Sequence, residues 1–138
     1  MSSENTMVAN RFYLLWNFFL DTGSVIEQFY GANSPGWSDY SYGVDLRYGG
    51  VKFALAIRGD RLFLDLLMID EECRGEGLAS KFLTTLTEKI DSEKMGCIYL
   101  EACDTLGSDL SRLISFYGRF GFKVTRTGNG SADMKRLS

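Results

Sequence analysis

Between residues 62 and 93 the apolar pattern changes its period across a glycine turn, and that change limits what this chain can fold into. LFLDLLMI (62–69) is an almost unbroken apolar run of strand length. Past CRGEGLAS, the residues Leu78, Phe82, Leu83, Leu86 and Ile90 recur three and four apart. The first pattern suits a strand and the second an amphipathic helix with one stripe against a sheet. CIYLEA, a short apolar run after the helix, is the next strand. A helix that links two strands in this way is a crossover connection, and it places the chain among mixed α/β layouts.

The flanking segments extend this reading. Phe12, Leu15, Trp16, Phe19 and Leu20 mark a helix over about 9–20, and residues 1–8 are expected to be disordered. A second helix is expected over 22–31, with Thr22 or Ser24 as its cap, followed by a loop at 31–40 that holds the one proline. YGVDLRY, VKFALAI and LFLDLLMI form a meander turning at Gly49-Gly50 and Gly59-Asp60. After the crossover helix (about 77–93) and its strand come the loop DTLGSD, a helix over about 108–119 stopped by Gly121, and the strands FKVTRT and ADMKRL. The expected domain is single, residues 1–138, with 9–40 as a helical segment on the substrate side.

Composition removes several functions. The net charge is −3 and no basic run occurs, so a dedicated nucleic-acid binder is not indicated. There is no histidine, which removes Ser-His and Cys-His dyads and most zinc sites; no metal site is expected. The sparse set Cys73, Cys97 and Cys103 does not form a disulfide framework and fits a reducing, cytoplasmic setting. Without its usual base, Cys103 reads as structural or incidental. FYLLWNFFL is too short to span a bilayer and is interrupted by Asn17, so no membrane association is expected.

The glycine turn is the most informative motif. The first turn of a helix presents unpaired N–H groups and a partial positive charge, and glycines let a phosphate approach them. Neither GxGxxG nor GxxxxGK[ST] is present, and a tight structural turn is the plain alternative. The string nevertheless resembles the Gln/Arg-x-x-Gly-x-Gly/Ala motif of the GNAT superfamily of N-acetyltransferases, matching at Arg74, Gly77 and Ala79, with Gly75 also typical. FYGRFGF (116–122) is similar to the family's "LYEKLGF" element, and Met134-Lys135-Arg136-Leu137 to its last strand. The likeness covers about residues 42–137.

That resemblance implies a GNAT-like fold: a mixed, mostly antiparallel sheet of about six strands, flanked by about four helices and splayed around a coenzyme cleft between the third and fourth expected strands. It implies acetyl-CoA as co-substrate. Leu67, Met68 and Ile69 on a bulged strand would hold the pantetheine arm, and the backbone of Arg74, Gly75, Glu76, Gly77, Leu78, Ala79 and Ser80 the pyrophosphate. It implies an amine acceptor and direct attack, and it is compatible with a homodimer.

Amide formation needs a base for the amine and an acid for the thiolate. By resemblance Tyr117 is the acid, against the plain reading of an aromatic that packs its helix onto the sheet. By the same resemblance Glu101, in YLEA, is the first candidate base, against a surface glutamate. Asp65 is the second, because a charge inside an apolar strand is costly unless it faces solvent or a site; strand alternation places it on the face of Phe63 and Leu67. Asp104 is weaker. Asp21, Glu27 and Asp39 are either attractors of a cationic amine or ordinary surface. A non-catalytic acyl-CoA-binding or protein-interaction module on the same fold is the alternative to an enzyme.

Overall fold

The computed structural model describes residues 3–31, 34–35, 37, 41–59, 61–103 and 109–137, with side chains from residue 10 onward. Helix α1 (Ser3–Asp21) precedes four strands: β1 (Val25–Tyr30), β2 (Ser41–Tyr48), β3 (Val51–Arg58) and β4 (Arg61–Ile69). A 3-10 turn (Glu71–Cys73) leads to α2 (Leu78–Ser92), then β5 (Ile98–Cys103), α3 (Leu110–Gly118), β6 (Lys123–Gly128) and β7 (Ser131–Arg136). The strands form one sheet in the order β1-β2-β3-β4-β5-β7-β6, antiparallel except for the β4–β5 pair that α2 bridges. Among the described residues there are seven strands and three helices, against the roughly six and four expected.

The difference lies in residues 22–31, which are strand β1 and not a second helix. Val25, Ile26, Phe29 and Tyr30 carry helical spacing, but the pairing of β1 with β2 shifts register between Ile26 and Gln28. A bulge at that point moves the apolar residues off strict alternation, so an edge strand imitates a 3.6 period. The preceding helix also begins at Ser3, ahead of the expected residue 9; the Thr22 hydroxyl, expected to cap a new helix, donates to the Phe19 carbonyl at the end of α1.

One face of the sheet carries the core. Phe53 of β3 meets Phe19 of α1 and Phe82 of α2, with ring centroids 4.8 and 4.5 Å away, so both helices cover the same face. Leu55, Leu62, Leu64, Leu83, Leu86, Ile98, Leu100 and Met134 continue that cluster, and Leu113, Ile114 and Tyr117 of α3 pack against it. Burying a side chain of this size contributes about 1.5–3 kcal/mol, so this face fixes the register of the strands. The opposite face is polar and aromatic. Trp37 lies there against Gly43, where a Cβ would come within 2.4 Å of the indole, and it stacks on Tyr30 at 5.3 Å.

Candidate active site

The site begins with a bulge in β4. Ala54 pairs with Leu66 and Leu55 with Leu64, which leaves Asp65 without a partner across the strand pair. The extra residue reverses the alternation beyond it. Leu64 pairs with Leu55 and Leu67 with Phe53, so Leu67 turns to the core face. Asp65 therefore shares a face with Phe63 but not with Leu67, correcting the expected alternation. The bulge also aims β4 away from β5: their parallel pairing covers only Leu62↔Ile98, Phe63↔Tyr99 and Leu64↔Leu100. Past that point Leu66–Ile69 and Glu101–Cys103 diverge, each still paired on its far side.

A cleft of about 600 Å³ fills the gap. Its lining includes Leu64, Leu67, Leu100, Ala102 and Met134, whose pairings put them on the core face. It also includes Phe63, Asp65, Tyr99, Glu101 and Asp133, which lie on the opposite face. The gap thus passes through the sheet. Tyr117 and Leu113 of α3 border it on the helix side.

The three candidate catalytic residues all line this cleft, in unlike surroundings. Both carboxylate oxygens of Asp65 accept from the Arg58 guanidinium, at 2.8 and 2.5 Å. Arg58 itself lies over the rings of Trp37 and Phe63, at 4.8 and 5.1 Å, and its hydrogen bonds to Asp65 raise its pKa further. Asp65 is a neutralised, oriented group. Glu101 is exposed, and the Cys103 thiol donates to its Oε1 at 3.0 Å. Burial pushes the Tyr117 phenol above its ordinary value of 10.0, so it stays protonated at neutral pH. Its ring packs edge-on to Phe116 and Phe122.

The glycine turn stands where β4 leads into α2. Gly75 and Gly77 have φ of +86° and +75°, and Gly77 is the N-cap of α2 with no side chain to satisfy the first turn. A Cβ at either position would meet nothing within 4 Å. Open space in front of unsatisfied first-turn N–H groups fits an anionic group. Three contacts tie the turn to the β2–β3 hairpin. Arg47 grips Asp70 at 2.8 and 2.9 Å. The Asp70 N–H donates to the Gly50 carbonyl at 2.8 Å. Cys73 sits so close to Gly50 that a Cβ there would lie 2.7 Å from its sulfur.

Residues 29–122 match the acetyltransferase family designated GNAT. The chain belongs to the GNAT family of acetyltransferases. Its fold is shared with the PaiA N-acetyltransferase of Thermoplasma acidophilum in complex with coenzyme A, at a TM-score of 0.53 and 17% identity over 71% of this chain and 61% of that one. It is shared with the ribosomal-protein-S18-alanine N-acetyltransferase of Escherichia coli, at 0.53 and 16% over 76% and 79%. A Klebsiella pneumoniae protein assigned as an acyl-CoA N-acyltransferase gives 0.51 and 15% over 99% and 91%. The chain spans less than two thirds of the length of the first of these relatives. No curated protein matches the sequence.

In this GNAT chain several cleft residues carried no functional reading from sequence. Arg58 and Arg61 are among them; Arg61 lies 4.9 Å over the Tyr99 ring. Asp133 faces Glu101 directly across the β5–β7 pair, a neighbour visible only once the strand order is known. Cys103 was visible in principle, because alternation along β5 places Tyr99, Glu101 and Cys103 on one face. Glu27 engages Arg47 and Lys52 at 3.4 and 3.7 Å, and Asp21 is exposed at the end of α1. Asp39 and Asp104 lie outside the described residues. No helix among the described residues is long and apolar enough to cross a membrane, and they contain no group of three or more metal-ligating side chains.

Proposed function

We propose that the protein is an N-acetyltransferase that moves the acetyl group of acetyl-CoA to a primary amine of a small molecule, peptide or protein, by direct attack. The observation that carries this reading is the gap through the sheet with Glu101 on one face and Tyr117 on the helix side. Acyl transfer to an amine needs proton removal at the nucleophile and proton delivery at the leaving thiolate. A base and an acid on opposite sides of one opening suit both at once.

Acetyl-CoA supplies the activated thioester; the chain's residues hold and orient it. The diverging edge of β4 over Leu67, Met68 and Ile69 offers backbone groups that β5 does not take. The backbone from Arg74 to Ser80 meets the pyrophosphate, with Gly75 and Gly77 keeping the approach clear. The Tyr117 phenol delivers a proton to the departing thiolate. Of the two candidate bases we favour Glu101, because Asp65 already spends both oxygens on Arg58 while Glu101 has one oxygen held by a neutral thiol. The three cysteines, none in a disulfide, fit a reducing, cytoplasmic compartment.

A melting curve with and without acetyl-CoA tests the reading. Coenzyme at a hundred times its dissociation constant should add about 2.7 kcal/mol. An unchanged melting temperature in well-folded protein would defeat it. Stabilisation without transfer to any amine would leave a coenzyme-binding module in its place.

A further inference from the structure

The reading of Glu101 as base leaves open what holds that carboxylate in place on an exposed strand position. Tyr99, Glu101 and Cys103 are alternate residues of β5, and the three side chains stand in a row along the cleft. The Cys103 thiol donates to Oε1 of Glu101 at 3.0 Å. Around this pair the cleft brings several charges. Asp133 lies directly opposite on β7, with Arg126 of β6 as its own cross-strand neighbour and Lys135 of β7 beside Tyr99. Across the gap are the Asp65–Arg58 pair and Arg61, and α3 contributes the Tyr117 phenol. Two carboxylates facing each other repel, and the repulsion favours rotation of one of them away from the site. A base in that position needs a hydrogen-bond donor to keep it oriented. An arginine would neutralise it, as happens at Asp65. A thiol is a weak, uncharged donor, so it can hold one oxygen without taking the charge.

We propose that Cys103 is the positioning residue of Glu101: its S–H fixes Oε1, holds the carboxylate in the cleft, and leaves Oε2 to receive the amine proton. The assignment rests on Glu101 being the base. Cys103 itself forms no covalent bond in this account; one proton passes from the amine nitrogen to Oε2 and the thiol keeps its own.

Two measurements on the full chain test it. The first is the titration of the Glu101 side-chain carboxyl by carbon NMR, with the signal assigned by its loss in Glu101→Gln. Losing a hydrogen bond to the charged form should raise the midpoint in Cys103→Ala by about half a pH unit or more, and Cys103→Ser, which keeps a donor, should restore it. Equal midpoints in native protein and Cys103→Ala would overturn the proposal. The second is the alkylation rate of Cys103 by iodoacetamide in a Cys73→Ser, Cys97→Ser background. A thiol that donates to a carboxylate is held from ionising, so Glu101→Gln should speed alkylation several-fold at fixed pH; an unchanged rate would also overturn it. Acetyl transfer to putrescine, tyramine and trialanine separates the two readings. Full activity of Glu101→Gln sinks the base assignment even where the titrations couple. Lost activity in Glu101→Gln, with no shift in Cys103→Ala, sinks only the role of Cys103.

Discussion

Replacing Gly77 by alanine tests the glycine turn in a way that separates folding from coenzyme binding. Gly77 has φ of +75°, and an added Cβ would meet no atom within 4 Å. The substitution therefore costs only backbone strain, about 1 kcal/mol for an L-residue in the left-handed region. With about 2.1 cal/mol/K of unfolding entropy per residue, 138 residues give about 0.29 kcal/mol/K, and the strain lowers Tm by about 3 °C. Gly59 is the control. Its φ is +62° in the β3–β4 turn, and a Cβ there also meets nothing within 4 Å. Gly59→Ala should show the same loss in Tm. The two part when acetyl-CoA is added. Stabilisation of about 2.7 kcal/mol at saturating coenzyme is a rise of about 9 °C on the same entropy. Gly59→Ala should keep that rise. Gly77→Ala should lose most of it, because the Cβ occupies the space through which a phosphate reaches the first-turn amides. Scanning fluorimetry over a coenzyme series measures both quantities. Equal coenzyme shifts in the two variants would refute the assignment of the pyrophosphate to this turn.

Other expectations follow from single contacts. Tyr117→Phe should lower kcat by about 100-fold or more, in the range of general acid catalysis, while calorimetry finds the coenzyme Kd unchanged. Because burial raises the Tyr117 pKa, the unfolded chain ionises first as pH rises through 10, so this residue's contribution to stability is constant below that pH and falls above it; urea melts across the alkaline range measure the trend. Arg136 holds Asp91 at 2.9 and 2.8 Å and donates its Nε–H to the Phe120 carbonyl at 2.6 Å, joining α2, β7 and the end of α3. Arg136→Met should cost about 2 kcal/mol by leaving that carbonyl unsatisfied, measured as a drop in urea midpoint. The Asp91 pKa is lowered by hydrogen bonds from Arg136, so this pair's contribution is present above the ordinary carboxylate range and fades as pH falls below it.

The sequence made the fold from β2 onward legible and left the N-terminal part obscure, for physical reasons. The helices over 78–92 and 110–118 have clean apolar stripes, and the meander is punctuated by glycine turns, so period alone locates them. Residues 25–30 form an edge strand whose bulge between Ile26 and Gln28 disturbs alternation; the apolar residues that survive imitate a helix. The same device hid the facing of Leu67, because the bulge at Asp65 reverses alternation inside β4. Bulges leave little trace in hydrophobic pattern when the extra residue is polar and its partner is remote. The partner of Asp65 is such a case: Arg58 ends the neighbouring strand, and only the hairpin geometry brings the two together. Cys103 was passed over because no histidine accompanies it, while its actual neighbour, Glu101, is two residues away on the same strand.

The central claim is that the gap between β4 and β5 transfers an acetyl group with Glu101 as its base. The most direct test incubates native protein, Glu101→Gln and Asp65→Asn with acetyl-CoA and the amine panel, and follows acetylated amine by mass spectrometry. The account predicts product from native protein, a loss of about 100-fold or more in Glu101→Gln, and a smaller loss in Asp65→Asn, whose carboxylate is already paired. Product formation that survives Glu101→Gln and vanishes in Asp65→Asn would contradict it.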